Sequence, residues 1–141
     1  MANMVVPNEG KPILLNLMTG KVTNAGLSWK LGLYVNAGYT PANASVLADL
    51  TAPTWSGYAP ITLTQSTWTS AVIDSNQGDT TWGVAPSAFT VGTGPQTVQG
   101  WYIWDDAVGK LLMLQQMSTP IPTIVGTLLQ ILPEIRDTWI P

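Results

Sequence analysis

The chain has 141 residues, which makes it one domain able to bury a single core. Charged residues are only 9 % of it, against ~25 % for an ordinary soluble domain, so much of the surface is expected to meet other protein. A net charge of −3 with five Lys and Arg argues against a phosphate-binding surface, and no nucleic-acid partner is expected. With no Cys and no His, disulfides, thiolate chemistry and most transition-metal sites are excluded as well.

In chain order, residues 1–7 are apolar, and Pro7 opposes a helix there. This start lacks the basic residues and long apolar stretch of a secretory signal. No apolar run approaches the ~20 residues of a membrane helix, so no membrane partner is expected. A short helix is predicted over 11–19, with Pro12 in its first turn, Ile13, Leu14, Leu17 and Met18 on one face, and Gly20 stopping it. Residues 26–36 alternate as a strand with one core face, Trp29, Leu31, Leu33 and Val35. A long connection over 40–53 leaves room for one helical turn within 44–50. A second strand is expected over 59–69, with Ile61, Leu63 and Trp68 inward. Residues 74–79, DSNQGD, read as a surface loop.

Pro86 breaks the stretch 82–91 or puts it on an edge, and 93–95 turn the chain into its central feature. Residues 97–117 read as a hairpin whose loop, 105–109, begins with Asp and ends with Gly. Both of its faces are apolar: Trp101, Ile103, Leu111 and Met113 on one, Tyr102, Trp104, Leu112 and Leu114 on the other. Such a ribbon is buried on both sides, between a core and something else, for which another subunit is a candidate. Pro120 and Pro122 exclude 118–125 from a central strand. A last strand follows over 126–132, ended by Pro133, and 134–141 leave as a tail. Short strands with one helix argue an all-β fold, a β-sandwich or small barrel of five to seven mainly antiparallel strands. The domain spans 1–141, with an extended arm over 1–8 and a tail over 134–141.

Little in the sequence carries catalysis. Asp105 with Asp49 or Asp74 could form a hydrolytic carboxylate pair, but turn chemistry explains Asp74, Asp79, Asp105 and Asp106 better, and no enzyme is expected. The 74–79 loop lacks the ligand set of a calcium loop, so no metal and no cofactor is assigned. Of the seven Trp, Trp29, Trp68, Trp82 and Trp101 read as core. Trp55, Trp104 and Trp139 lie beside turns, prolines or an end, where an exposed Trp would anchor a protein interface or stack on a sugar. Sparse charge favours the interface. The ends carry Val5, Val6, Trp139 and Ile140 and are expected to dock on a neighbour, by strand addition to a sheet edge.

The segments VPNEGKPILLNLM, LSWKLGLYVN, TPANASVLADLTAPTWSGYAPITL, GWYIWDDAVGKLLMLQQM and GTLLQILPEI together resemble a group of small tailed-phage virion structural proteins. The residues that carry the resemblance are Lys30, Leu31, Leu33, Tyr34, Asn36, Gly57, Tyr58, Ala59, Leu63, Gly100, Asp105, Gly109, Leu111 and Leu112. It covers nearly the whole chain; the extra Trp and the segment after Glu134 depart from it. It implies a non-catalytic component of the virion, assembled in the host cytoplasm. A head decoration or cement protein is the expectation, a homo-oligomer, trimeric by preference, bound to the major capsid protein or other virion proteins. Val6, Trp55, Trp104, Trp139 and Ile140 are the expected contact residues. A tail- or fibre-associated protein and a Trp-rich glycan-binding module are the rival readings.

Overall fold

A computed structural model of the chain describes residues 4–21, 28–64, 72–74, 79–83, 87–131 and 133–138. The fold is all-β with one short helix, and among the described residues every strand pairing is antiparallel. The largest sheet has five strands in the order β1 (Met4–Val5), β8 (Lys110–Pro122), β7 (Thr97–Asp105), β2 (Trp29–Tyr34) and β3 (Ile61–Leu63). A three-stranded sheet joins β10 (Glu134–Thr138), β5 (Asp79–Gly83) and β4 (Val72–Asp74). A two-stranded ribbon pairs β6 (Ser87–Thr90) with β9 (Leu128–Ile131). β5 ends at Gly83 and β6 begins at Ser87; Pro86, where a break or an edge was expected, lies outside the described residues.

Helix α1, Lys11–Met18, forms where the sequence places it, with proline in its first turn. Gly20, at φ +68°, turns the chain out of it. Ile13, Leu14 and Leu17 pack on the main core with Trp29, Leu31, Leu33, Trp101, Ile103, Phe89, Val91 and Ile131. The ribbon β6–β9 and α1 therefore share one face of the five-stranded sheet.

The opposite face is buried too. Tyr34, Tyr102, Trp104, Leu111 and Leu114 form a second cluster, covered by Tyr39, Leu47 and Leu50 of the 36–51 loop. The cover expected from another subunit is thus supplied by the chain itself, and β2 has two core faces where alternation indicated one. Within this loop the helical turn expected in 44–50 is a single 3₁₀ turn, Leu47–Asp49. Asn36 closes the loop: its Oδ1 accepts from Thr51 N at 2.6 Å and its Nδ2 donates to Asp49 O at 2.8 Å. Tyr39 Oη donates to Ser45 Oγ at 2.6 Å, so the loop is also fixed internally.

A register shift between Ile103 and Trp104 sets Trp104 opposite Leu111 and Ile103 opposite Met113, leaving Leu112 as the extra residue of a bulge. Leu111 consequently joins Tyr102 and Trp104, while Leu112 joins Trp101 and Ile103. Strict alternation had exchanged these two leucines. A second irregularity, with Val98 opposite Ile121 and Gly100 opposite Gln116, sets residues 117–120 against Gln99 alone. Pro120 falls in this excursion and Pro122 at the strand's last pair, so β8 runs through both prolines; they were excluded only from a central strand, and among the described residues this part of β8 pairs with β7 on one side, β1 reaching only Leu114 and Gln115. Their missing N–H groups break no regular ladder.

Met4–Val5 and Glu134–Thr138 are held by the chain's own sheets. Met4 and Val5 pair with Gln115 and Leu114. The segment expected to leave as a tail is β10 as far as Thr138, paired along β5 from Glu134↔Gly83 to Thr138↔Asp79. These pairings are intramolecular, where docking on a neighbour by strand addition was expected. Of the second strand expected over 59–69, residues 59–64 are described, with Ile61–Leu63 as β3; 65–69, Trp68 among them, lie outside the described residues.

Candidate functional site

Of the residues expected at an interface, Trp55 and Trp104 are withdrawn from the surface. Trp55 is 2 % exposed, inside the main core, with its ring edge-on to Tyr58 at 5.4 Å. Trp104 is 7 % exposed and lies 5.1 Å from the Tyr102 ring, its indole N–H donating to Asp106 Oδ1 at 3.2 Å. Each sits beside a turn, but its ring turns inward because a small domain needs the area of its aromatics for its core. Neither side chain is exposed at this chain's own surface. Val6 is half-buried just after β1. Trp139 and Ile140 lie outside the described residues.

The residues of the resemblance hold the fold together. Tyr58 Oη accepts the backbone N–H of Leu33 at 2.8 Å, at a point on β2 that β3 does not reach. A Cβ on Gly100 would run into the Tyr34 ring, so only glycine admits that ring against the sheet. Asp105 Oδ1 accepts from Ala107 N at 3.0 Å inside the hairpin turn. The other expected member of a hydrolytic pair that is described, Asp49, has its Oδ2 accepting Val46 N at 3.0 Å. Both carboxylates serve turns. The side chains of Asp74 and Asp79 are not among those described, and 75–78 lie outside the described residues, so the loop singled out for calcium has no described geometry. Among the described residues no three acidic side chains gather as metal ligands.

A hydrogen-bonded cluster of loops lies at the end of the central hairpin opposite its 105–110 turn. Three loops meet there: 53–58, 91–96 and 123–127. Thr54 N donates to Gln96 Oε1 at 2.6 Å, and Ser56 N to Thr93 O at 3.0 Å. Gln96 N donates to Thr123 Oγ1 at 3.1 Å, and that hydroxyl returns a bond to Gln96 O at 2.7 Å. Val91 N donates to Thr127 O at 3.0 Å while Gly126 N donates to Val91 O at 2.8 Å. The turn itself is closed by Thr127 N to Ile124 O at 3.1 Å, with Gly126 at φ +81°, a conformation that favours glycine.

This network holds Ile124, Val125 and Leu128 out into solvent, at 68 %, 51 % and 64 % exposure. Leu128 lies on the outward face of the ribbon with Ala88, Thr90 and Gln130, all exposed. Residues 50–73, 84–104 and 111–133 contain no Asp, Glu, Lys or Arg, so the three loops and the ribbon carry no side chain charged at neutral pH. Both ion pairs among the described residues, Lys30–Asp106 at 2.6 Å and Lys110–Glu9 at 3.4 Å, lie at the 105–110 end. Sequence reasoning missed this surface because its residues read as broken strand and turn; the three charge-free stretches were the available signal. Beside it a groove of about 360 Å³ opens between β8 and β9, with Gln115, Gln116, Ser118, Thr119 and Gln130 among its walls and Trp101 lining it.

No family model, no curated protein and no solved structure matches this chain.

Proposed function

We propose that this chain is a structural protein of a tailed-phage virion, a head decoration or cement protein that reinforces the shell by docking on the major capsid protein or its neighbours. The observation that carries the reading is the hydrogen-bonded, charge-free loop end with Ile124, Val125 and Leu128 exposed. A large apolar residue on a mobile loop loses conformational freedom when it binds; a turn already fixed by backbone bonds loses less. No charge has to be stripped of water in such a contact. The resemblance of its sequence motifs to those of small virion proteins supports the same setting, and the scarcity of charge suits a subunit that spends its working life among others.

The mechanism is passive. Each copy buries apolar surface across a seam, and many copies act together, so a modest single contact becomes a strong lattice. The test is a count of this chain per purified particle by quantitative mass spectrometry, with wild type and Ile124→Asp/Val125→Asp compared. Copies in the hundreds, reduced by the double substitution, are the expected result. One to a few dozen copies would place it at the tail or neck, and absence from the particle would end the virion reading.

A further inference from the structure

We propose that residues 36–51 are a lid over the second aromatic cluster and that the N-terminal arm is its latch, so that seating of the arm on the central hairpin and closure of the lid are one coupled event. The inference is independent of the assembly reading above and concerns the face of the main sheet turned away from the β6–β9 ribbon.

The lid is self-contained except at one point. Asn36 pins its base to Asp49 and Thr51, and Val35 N donates to Thr51 O at 2.9 Å. Its interior bonds stay inside it: Tyr39 N to Asn36 O, Ser45 N to Ala42 O, Ala42 N to Ser45 Oγ and Val46 N to Asp49 Oδ2. Beyond the base, a single hydrogen bond among the described residues joins the lid to another part of the chain. It runs from Asn8 N to Asn43 O at 2.7 Å.

Asn8 is placed from the hairpin side. Pro7 before it is fully buried, and Gly10 N and Lys11 N both donate to Pro7 O, at 3.0 and 3.2 Å. Gly10 sits so close to Leu111 O and Leu112 Cα that a Cβ would collide with both. Glu9 Oε1 accepts the Leu111 N–H. Leu111 therefore serves both parts: its N–H holds the arm, and its side chain lies in the cluster under the lid.

The closed state carries an opposing cost. Tyr39, Leu47 and Leu50 cover Tyr34, Tyr102, Trp104, Leu111 and Leu114, yet the three covering side chains are only half-buried. The Tyr34 hydroxyl is sealed beneath without a hydrogen-bond partner, a penalty that water relieves on opening. Light cover over an unmet hydroxyl makes this a low-stability segment, and a latch that binds only the closed form shifts its balance. Whatever displaces the arm thereby opens the aromatic face.

Amide hydrogen exchange on the full chain, read by NMR, tests the proposal with wild type, Asn8→Pro, Asn8→Ala and Asn36→Ala. Asn8 is the second residue of the turn closed by Gly10 N to Pro7 O, a position that accepts proline, so Asn8→Pro deletes the latch donor. Asn8→Ala keeps that donor and loses, as the proline variant does, the exposed contact from Lys11 Nζ. In wild type the Leu111, Ser45 and Leu50 amides should share one opening constant, at least about tenfold larger than that of the β7 amides. Asn8→Pro should speed all three about three- to tenfold, the range of one net hydrogen bond, while Asn8→Ala stays near wild type. Asn36→Ala, which touches no arm residue, should speed Asn8 and Leu111 along with the lid, because coupling is reciprocal. Circular dichroism checks folding, and Asn36→Ala decides the matter if the proline variant does not fold. Lid amides as slow as those of β7, lid rates unchanged in Asn8→Pro, or an Asn36→Ala effect confined to the lid would each overturn the proposal.

Discussion

Glu9 and Leu111, 102 positions apart, are joined by a hydrogen bond of 2.7 Å from the Leu111 backbone N–H to Glu9 Oε1. The bond lies at the bulge of β8, beyond the Met4–Val5 pairing, where the displaced strand would leave this donor without a ladder partner. Gly10 completes the fit, since a Cβ there would stand 2.6 Å from Leu111 O. The arm before α1 is thus a clamp on the central hairpin, and the Lys110 ammonium 3.4 Å from Glu9 Oε2 adds to it only weakly because it is half exposed.

Replacing Glu9 with Ala leaves the Leu111 N–H unmet and should lower stability by about 1–3 kcal/mol. Glu9→Gln keeps an acceptor and should lose about 1 kcal/mol or less. Urea unfolding of the three proteins decides it. Equal losses in both variants would mean that the Lys110 pairing, and not the backbone bond, is the source.

Gly32 and Tyr102 are opposite each other in β2 and β7, and a Cβ on Gly32 would lie 2.8 Å from Tyr102 Cζ and 3.0 Å from Trp104 Cζ3. The aromatic pair on this face lies over a glycine floor. Gly32→Ala should therefore destabilise by about 1–3 kcal/mol through overpacking. A double-mutant cycle with Tyr102→Leu should show coupling of about 0.5–3 kcal/mol, because the shorter side chain vacates the space. Additive effects would place the strain elsewhere.

The physics that made the sequence readable is local. The helix over 11–18 showed in its proline and its apolar spacing, and the hairpin in Asp105, Gly109 and the apolar strands on either side. What escaped was non-local. Which face Leu111 and Leu112 take depends on a bulge that no composition rule announces. Whether Trp55 and Trp104 point inward depends on Tyr58 and on the 36–51 loop arriving from elsewhere in the chain. The second covered face of the hairpin was legible as burial, but its cover was not. The same holds for the loop end: Ile124, Val125 and Leu128 are unremarkable in a row of strand-like residues, and become a surface only when Gln96, Thr123 and Val91 hold them there.

Tyr34 is fully buried, and its hydroxyl has no hydrogen-bond partner. Burial, with a smaller contribution from Tyr39, pushes its pKa from 10.0 up to about 12, and burial raises Tyr58 and Tyr102 as well. Above pH 10 the unfolded chain releases these protons while the folded chain holds them, so stability is complete below about pH 10 and falls as pH rises toward 12. Tyr34→Phe removes both the orphan hydroxyl and its share of this dependence. The variant should be at least as stable as wild type at pH 7 and should lose less between pH 10 and 12. Thermal melts across that range test both, and a Phe variant clearly weaker at pH 7 would indicate a partner for the hydroxyl.

Asp106 stands at the other extreme, exposed and ionised. Its carboxyl is held below the ordinary carboxylate value mainly by the hydrogen bond from Lys30, opposed by some desolvation and assisted by the Trp104 indole N–H. A depressed folded value means the contribution is present above the unfolded pKa and is lost as pH falls through the folded one. At this exposure the pair belongs with surface ion pairs, whose worth is small and screened by salt. The effect should therefore be clear in titration and slight in stability. Following the Asp106 carboxyl and the Trp104 indole N–H by NMR from neutral to acid pH should give one shared midpoint below the usual range. Lys30→Met should move that midpoint up toward the ordinary value while the thermal midpoint at pH 7 changes little. An unmoved midpoint would assign the shift to the indole instead, and Trp104→Phe would then be the substitution that releases it.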